Sequence, residues 1–180
     1  MNKSKYNTKK IVLTAIMASI VFICTYLTRI ELSILGSHTI IHLGNMACIV
    51  ISILFGGLCG GIAGGLGMAF FDIVSGTFIA YFPFTFILKF FMGLICGNFK
   101  TKYYTKISHN KLTLLSASLG LLFNMIFSPI VTLLIRVWIY KLDFHASIIS
   151  MAGSIISVII NAILSFIISL ILIKFLENKI

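Results

Sequence analysis

The feature that most constrains this chain is a succession of six long apolar runs. They lie at roughly Ile11–Thr28, Ile40–Phe55, Gly57–Phe71, Pro83–Phe99, Leu112–Tyr140 and Ile148–Phe175. A helix crosses the hydrocarbon layer of a bilayer in about 20 residues, so runs of this kind read as membrane spans. Fourteen basic and four acidic residues in 180 are too few to coat a water-soluble domain, because such domains carry charge on about a quarter of their residues. A water-soluble enzyme or a nucleic-acid binder is therefore excluded as a first reading. The spans also use up the chain and leave no room for a nucleotide-binding domain. The expected fold is all-α: a polytopic membrane protein of six transmembrane helices, with residues 1–180 as a single membrane-embedded domain.

The basic residues set the orientation. Ten of them, Lys3, Lys5, Lys9, Lys10, Lys100, Lys102, Lys106, Lys111, Lys174 and Lys179, fall on one side of the expected spans. Arg29, Arg136 and Lys141 fall on the other, and Lys89 lies within a span. Loops rich in lysine and arginine stay in the cytoplasm, so both termini are expected there, as an even number of spans requires. Residues 1–10 then form a cytoplasmic tail, 29–39 an outer loop or lid, and 100–111 a cytoplasmic loop. The net charge of +10 is on this reading a record of topology. The first apolar run lacks a convincing cleavage site and reads as a retained helix.

Seven of the 14 glycines lie between Gly56 and Gly67. Gly57, Gly61 and Gly65 recur every fourth residue, as do Gly60 and Gly64 with Gly56. Rows of small residues let helix backbones approach closely in lipid, where packing drives association, so these glycines read as helix-packing surface. No GxxxxGK[ST] phosphate loop is present. A shorter row, Ala15 and Ser19 with Ala18 beside it, is either internal packing or a docking face for a membrane partner. Cys24, Cys48, Cys59 and Cys96 all sit in apolar runs without CxxC spacing, which suits buried thiols rather than a disulfide or a metal site.

Ionisable groups at membrane depth are costly and usually face a cavity or a partner. Asp72 closes the glycine-rich run, with Ser75 one turn on. Lys89 sits inside FTFILKFFMGL, with Thr85 one turn before it. A chain folded back between the third and fourth spans brings the two close enough to pair, either as a structural ion pair or as an acceptor and a donor for a polar ligand. His42 and Asn45 share a face at the start of the second span. Tyr81, Phe82 and Phe84 suit stacking on a planar ligand or an interfacial position. Arg29, Glu31 and His38 form a lid or are solvated. Ser147, Ser150, Ser154, Ser157, Asn161 and Ser165 make one stripe along the last span; Ser150 and Ser154 are the ligand candidates, Asn161 and Ser165 the packing ones. Asn124 fits either role. Trp138 and Tyr140 match interfacial anchors. Catalytic patterns are missing. DIVSG lacks the glycine of a GxSx-type turn, Asp72 is the only acid at membrane depth, and no HExxH metal site occurs. No catalytic residue, metal or cofactor is therefore expected.

The stretch from His42 to about Gly97 resembles the core of the substrate-binding S components of energy-coupling-factor (ECF) vitamin transporters. The matching elements are HLG opening helix two, the FGG–GG hairpin, the D-x-x-S-G of Asp72, Ser75 and Gly76, and the P-x-T-x-x-x-K of Pro83, Thr85 and Lys89. The six-span layout and charge bias extend the likeness over the chain. The family's AxxxA docking motif corresponds to Ala15–Ser19, with serine at the second small position. The resemblance implies a binding subunit of the cell membrane that takes a vitamin-like small molecule into an outward pocket under the loop after helix one. Its partners would be a transmembrane coupling protein and two cytoplasmic ATPases, whose ATP hydrolysis topples the subunit to deliver the ligand inward. His42, Asn45, Asp72, Ser75, Tyr81, Phe84, Thr85, Lys89, Ser150 and Ser154 are the expected ligand contacts. A pyridoxine- or pyrimidine-type compound is the favoured ligand, with a riboflavin-like one as an alternative. The rival reading is a self-sufficient secondary transporter in which Asp72 and Lys89 couple proton movement to transport.

Overall fold

The computed structural model describes residues 8–177. The basic tail expected over residues 1–10 lies mostly outside them, as does Lys179. Six α-helices run in chain order: α1 (Thr8–Leu27), α2 (Gly44–Phe55), α3 (Gly57–Ser75), α4 (Phe82–Tyr103), α5 (His109–Leu134) and α6 (Phe144–Glu177). Two strands, β1 (Ile30–Ile34) and β2 (Ser37–Ile41), join α1 to α2 as an antiparallel hairpin.

The six helices agree with the all-α expectation. Two details are added. The segment 29–39, expected as an outer loop or lid, carries the hairpin. Leu35 and Gly36 both have positive φ, the geometry of a two-residue hairpin turn that matches strand twist. Leu35 is an unusual choice there, and little in the sequence signals the turn. The second detail concerns the spans. Five helices are long and apolar enough to cross a membrane, while α2 has 12 residues. At 1.5 Å per residue α2 covers about 18 Å, short of the roughly 30 Å hydrocarbon layer. Ile40 and Ile41, expected to begin that span, belong to β2 instead. The segment between α4 and α5 is also shorter than expected, only residues 104–108.

α3 is central and touches α1, α2 and α4. Its glycines divide by direction. Gly57, Gly61 and Gly65 face the α4 backbone at Leu94, Phe90 and Phe86, while Gly60 and Gly64 face Ser52 and Cys48 of α2. Gly93 and Gly97 of α4 return the contact, so a methyl on Gly93 would stand 2.6 Å from the Cα of Gly61. Two helices thus meet backbone to backbone. The apolar core draws on all six helices, with Val21 from α1, Ile49 and Cys48 from α2, Met68 from α3, Met92 and Cys96 from α4, Leu121 from α5 and Ile173 from α6. All four cysteines are free thiols.

β2 runs along α6 in the same direction. Two strand residues advance about 6.7 Å and one helical turn 5.4 Å, so alternate hairpin residues can meet successive turns of the serine stripe. Ser150 Oγ donates to the Leu35 carbonyl at 3.2 Å, and the Ser37 and Ser154 hydroxyls are 2.8 Å apart. The Thr39 and Ser157 hydroxyls also bond. At the end of the row the Asn161 Oδ1 accepts from the His42 N–H, and its Nδ2 donates to the Ile40 carbonyl, both at 2.8 Å. The stripe expected to divide between helix packing and ligand contact is in the main a track for the hairpin.

Candidate functional site

Where the hairpin, the α3–α4 turn and the ends of α5 and α6 converge, they enclose a cavity of about 140 Å³. Each wall follows from local structure. The D-x-x-S-G motif ends α3: Ser75 Oγ donates to the Asp72 carbonyl at 2.9 Å and accepts from the Phe78 N–H, and Gly76 takes a positive φ of 70°. The chain then makes one 3₁₀ turn, Ile79–Tyr81, before α4 starts with Pro83 in its first turn, a place that needs no proline N–H. Asp72 is thereby held on the wall from one side, and Thr85 and Lys89, one turn apart on α4, from the other.

Of the ten expected contacts, seven line this cavity: His42, Asn45, Asp72, Tyr81, Thr85, Lys89 and Ser154. Three do not. Ser75 is spent on capping α3, Ser150 on holding the Leu35 carbonyl, and Phe84 sits on α4 away from the cavity wall. The aromatic rings on the wall are Phe71, Phe78 and Tyr81, with Phe78 and Tyr81 edge to face at 6.1 Å.

Asp72 and Lys89 do not form the ion pair considered from the sequence; among the described residues none joins them. Lys89 Nζ instead donates to Asn124 Oδ1 at 2.5 Å, and Asp72 and Thr85 share the cavity wall. An ammonium has three donors, so Lys89 keeps capacity for a ligand. On the same wall, Asp72 Oδ2 and Asn45 Oδ1 are buried acceptors without a partner. Buried polar atoms are nearly always satisfied, so these two are open to accept from a bound molecule. His42 Nδ1 accepts the Gly44 N–H at 3.1 Å. That bond leaves Nε2 as the protonated nitrogen of a neutral ring.

Sequence reasoning missed the contributions of α1, α5 and most of α6: Thr25, Ser128, Thr132, Ser157 and Asn161 all reach the wall. Asn124, left open between two roles, is the partner of Lys89. Of the three loop residues, His38 lines the cavity and meets Ser33 across the hairpin at 3.1 Å. Arg29 lies over the rings of Tyr26 (4.6 Å) and Phe71 (5.9 Å) and pairs with exposed Glu31 at 3.8 Å. Ala15 and Ser19 are exposed on α1, far from this site in the chain, with Ser19 Oγ bonded to the Ala15 carbonyl. Trp138 is 72% exposed. No group of three or more histidine, cysteine, aspartate or glutamate side chains capable of holding a metal occurs among the described residues.

A family described as "ECF-type riboflavin transporter, S component" matches the chain over residues 5–178. A comparison with curated proteins gave no match.

Proposed function

The chain belongs to the family of ECF-type riboflavin transporter S components, and from that premise we propose that it captures riboflavin in the cavity beneath the hairpin. It is a multi-pass membrane protein and a substrate-binding subunit rather than an enzyme. The observation that carries the flavin reading is the family match over nearly the whole chain. The chemistry of the cavity supports it. A flavin ring system offers carbonyl and ring-nitrogen acceptors and an N–H, and its polyol tail offers hydroxyl donors. Lys89 suits the former, the open acceptors Asp72 Oδ2 and Asn45 Oδ1 suit donor groups, and Phe71, Phe78 and Tyr81 suit a planar ring.

In this reading the cavity faces outward across the cell membrane and both termini are cytoplasmic, which the distribution of ten basic residues against three supports. Ala15 and Ser19 dock on a transmembrane coupling protein, and ATP hydrolysis by two cytoplasmic ATPases topples the subunit. The absence of a phosphate loop in the chain fits an engine housed elsewhere.

One observation favours a smaller vitamin. The cavity is about 140 Å³, below the ~300 Å³ at which pockets for drug-sized ligands begin. A cavity of this size suits a pyridoxine- or pyrimidine-type compound better than a tricyclic ligand held wholly within it. Titration calorimetry on the detergent-purified chain, without ATP or partners, decides the matter. Saturable riboflavin binding that excess pyridoxine fails to displace is expected. Binding of pyridoxine in its place would overturn the flavin reading and leave the capture role intact.

A further inference from the structure

Arg136 does not line the cavity, yet it is 8% exposed. It lies in a π-helical turn, Ile135–Ile139, that continues α5, closed by the Tyr140 N–H to the Ile135 carbonyl at 3.0 Å. The wider turn keeps two successive residues, Ile135 and Arg136, buried together. Single π turns inside α-helices gather at functional sites. Among the described residues no carboxylate lies within ion-pair distance of Arg136. Its Nη2 donates to Ser37 Oγ at 3.1 Å, and its buried Nε has no partner. An uncompensated, partly satisfied guanidinium is a poor device for stability alone.

A guanidinium only donates, so Ser37 Oγ accepts from Arg136, and the Ser37 hydroxyl lies 2.8 Å from Ser154 Oγ. Arg136, at the end of α5, is thereby joined through the hairpin to Ser154 of α6, which lines the cavity.

We propose that Arg136 is a positioning residue for ligand capture, which pins the hairpin over the cavity through Ser37.

The test has two arms, and the second rests on the flavin reading. In the first, amide hydrogen exchange is followed in the unliganded protein. Arg136→Gln is expected to speed exchange across residues 30–41 at least tenfold and leave the α3–α4 seam unchanged. Unchanged exchange in the hairpin overturns the pinning role whatever the ligand is. In the second, riboflavin dissociation is followed by flavin fluorescence. Arg136→Gln is expected to raise the dissociation rate about tenfold or more at an unaltered association rate. An unchanged dissociation rate overturns the positioning role. Should Arg136→Gln fail to fold, Ser37→Ala, which removes the acceptor of the same bond, gives both readouts. Wild-type protein that binds no riboflavin breaks the flavin reading, while the exchange arm still judges Arg136.

Discussion

The two sides of the cavity are held together by opposite means. On one, α3 and α4 close backbone on backbone where Gly93 and Gly97 meet Gly61 and Gly57, and Gly65 continues the seam against Phe86. On the other, the hairpin lies on α6 and the end of α5 through hydroxyl, amide and guanidinium groups. In lipid the hydrophobic effect does not press helices together, so van der Waals contact and hydrogen bonds must. Each solution has its own failure mode. A glycine seam admits no added atom and breaks abruptly, because interiors are packed to crystal-like density. A ladder of hydrogen bonds yields one rung at a time, at about 1 kcal/mol per rung. A fixed wall opposite a releasable one is the arrangement a capture site needs.

The comparison can be broken first at the seam. Gly93→Leu is expected to abolish monodisperse protein in size-exclusion chromatography, since its side chain would enter the Gly60–Gly61 backbone. Gly93→Ala is expected to cost at least the ~1–3 kcal/mol of an overpacked core, seen as a lowered Tm in detergent. A tolerated leucine would show that the seam is no tighter than the hairpin track. Next in size is Lys89→Met, which removes the charged donor beside Asn124. Riboflavin affinity is expected to fall roughly 10- to 100-fold by titration calorimetry, as loss of a hydrogen bond to a charged group implies, with Tm little changed. Asn161→Ala removes both hydrogen bonds at the base of β2. A loss of about 2 kcal/mol in hairpin opening free energy is expected from two rungs, measurable by hydrogen exchange. Ser150→Ala, one rung at the hairpin tip, is expected to shift the same quantity by about 1 kcal/mol or less. Smallest at the cavity is Ala15→Leu with Ser19→Leu. Ligand affinity is expected to stay at wild-type level while co-purification with a coupling protein is lost; retained co-purification would move docking off this face.

Much of the rigid side was legible in the chain. The glycine rows announce themselves by spacing, and Asp72, Thr85 and Lys89 stand out because polar groups are rare in apolar runs. The releasable side was far less so. Ser37 and Ser154 are 117 residues apart, and a stripe of hydroxyls on α6 reads the same whether it faces a helix, a strand or a ligand. Ser150 was expected at the ligand because it shares the outer half of the last span with Ser154; one turn of helix separates the cavity wall from the hairpin tip. Arg136 was read as a marker of topology, since nothing local tells a buried arginine from one at the membrane surface.

What the sequence by itself determined is therefore what a bilayer enforces locally: membrane residence, the approximate helices, their close-packing face, and the few polar residues too expensive to be incidental. Only the tertiary structure decided that the segment after α1 is a hairpin, that α2 is short, and that Lys89 bonds Asn124 rather than Asp72. It also decided that Arg136 reaches the hairpin. The reason is physical. Hydrophobic length and small-residue rows are properties of one segment, while the partner of a buried donor is chosen by whatever acceptor the fold brings within about 3 Å, at any distance along the chain.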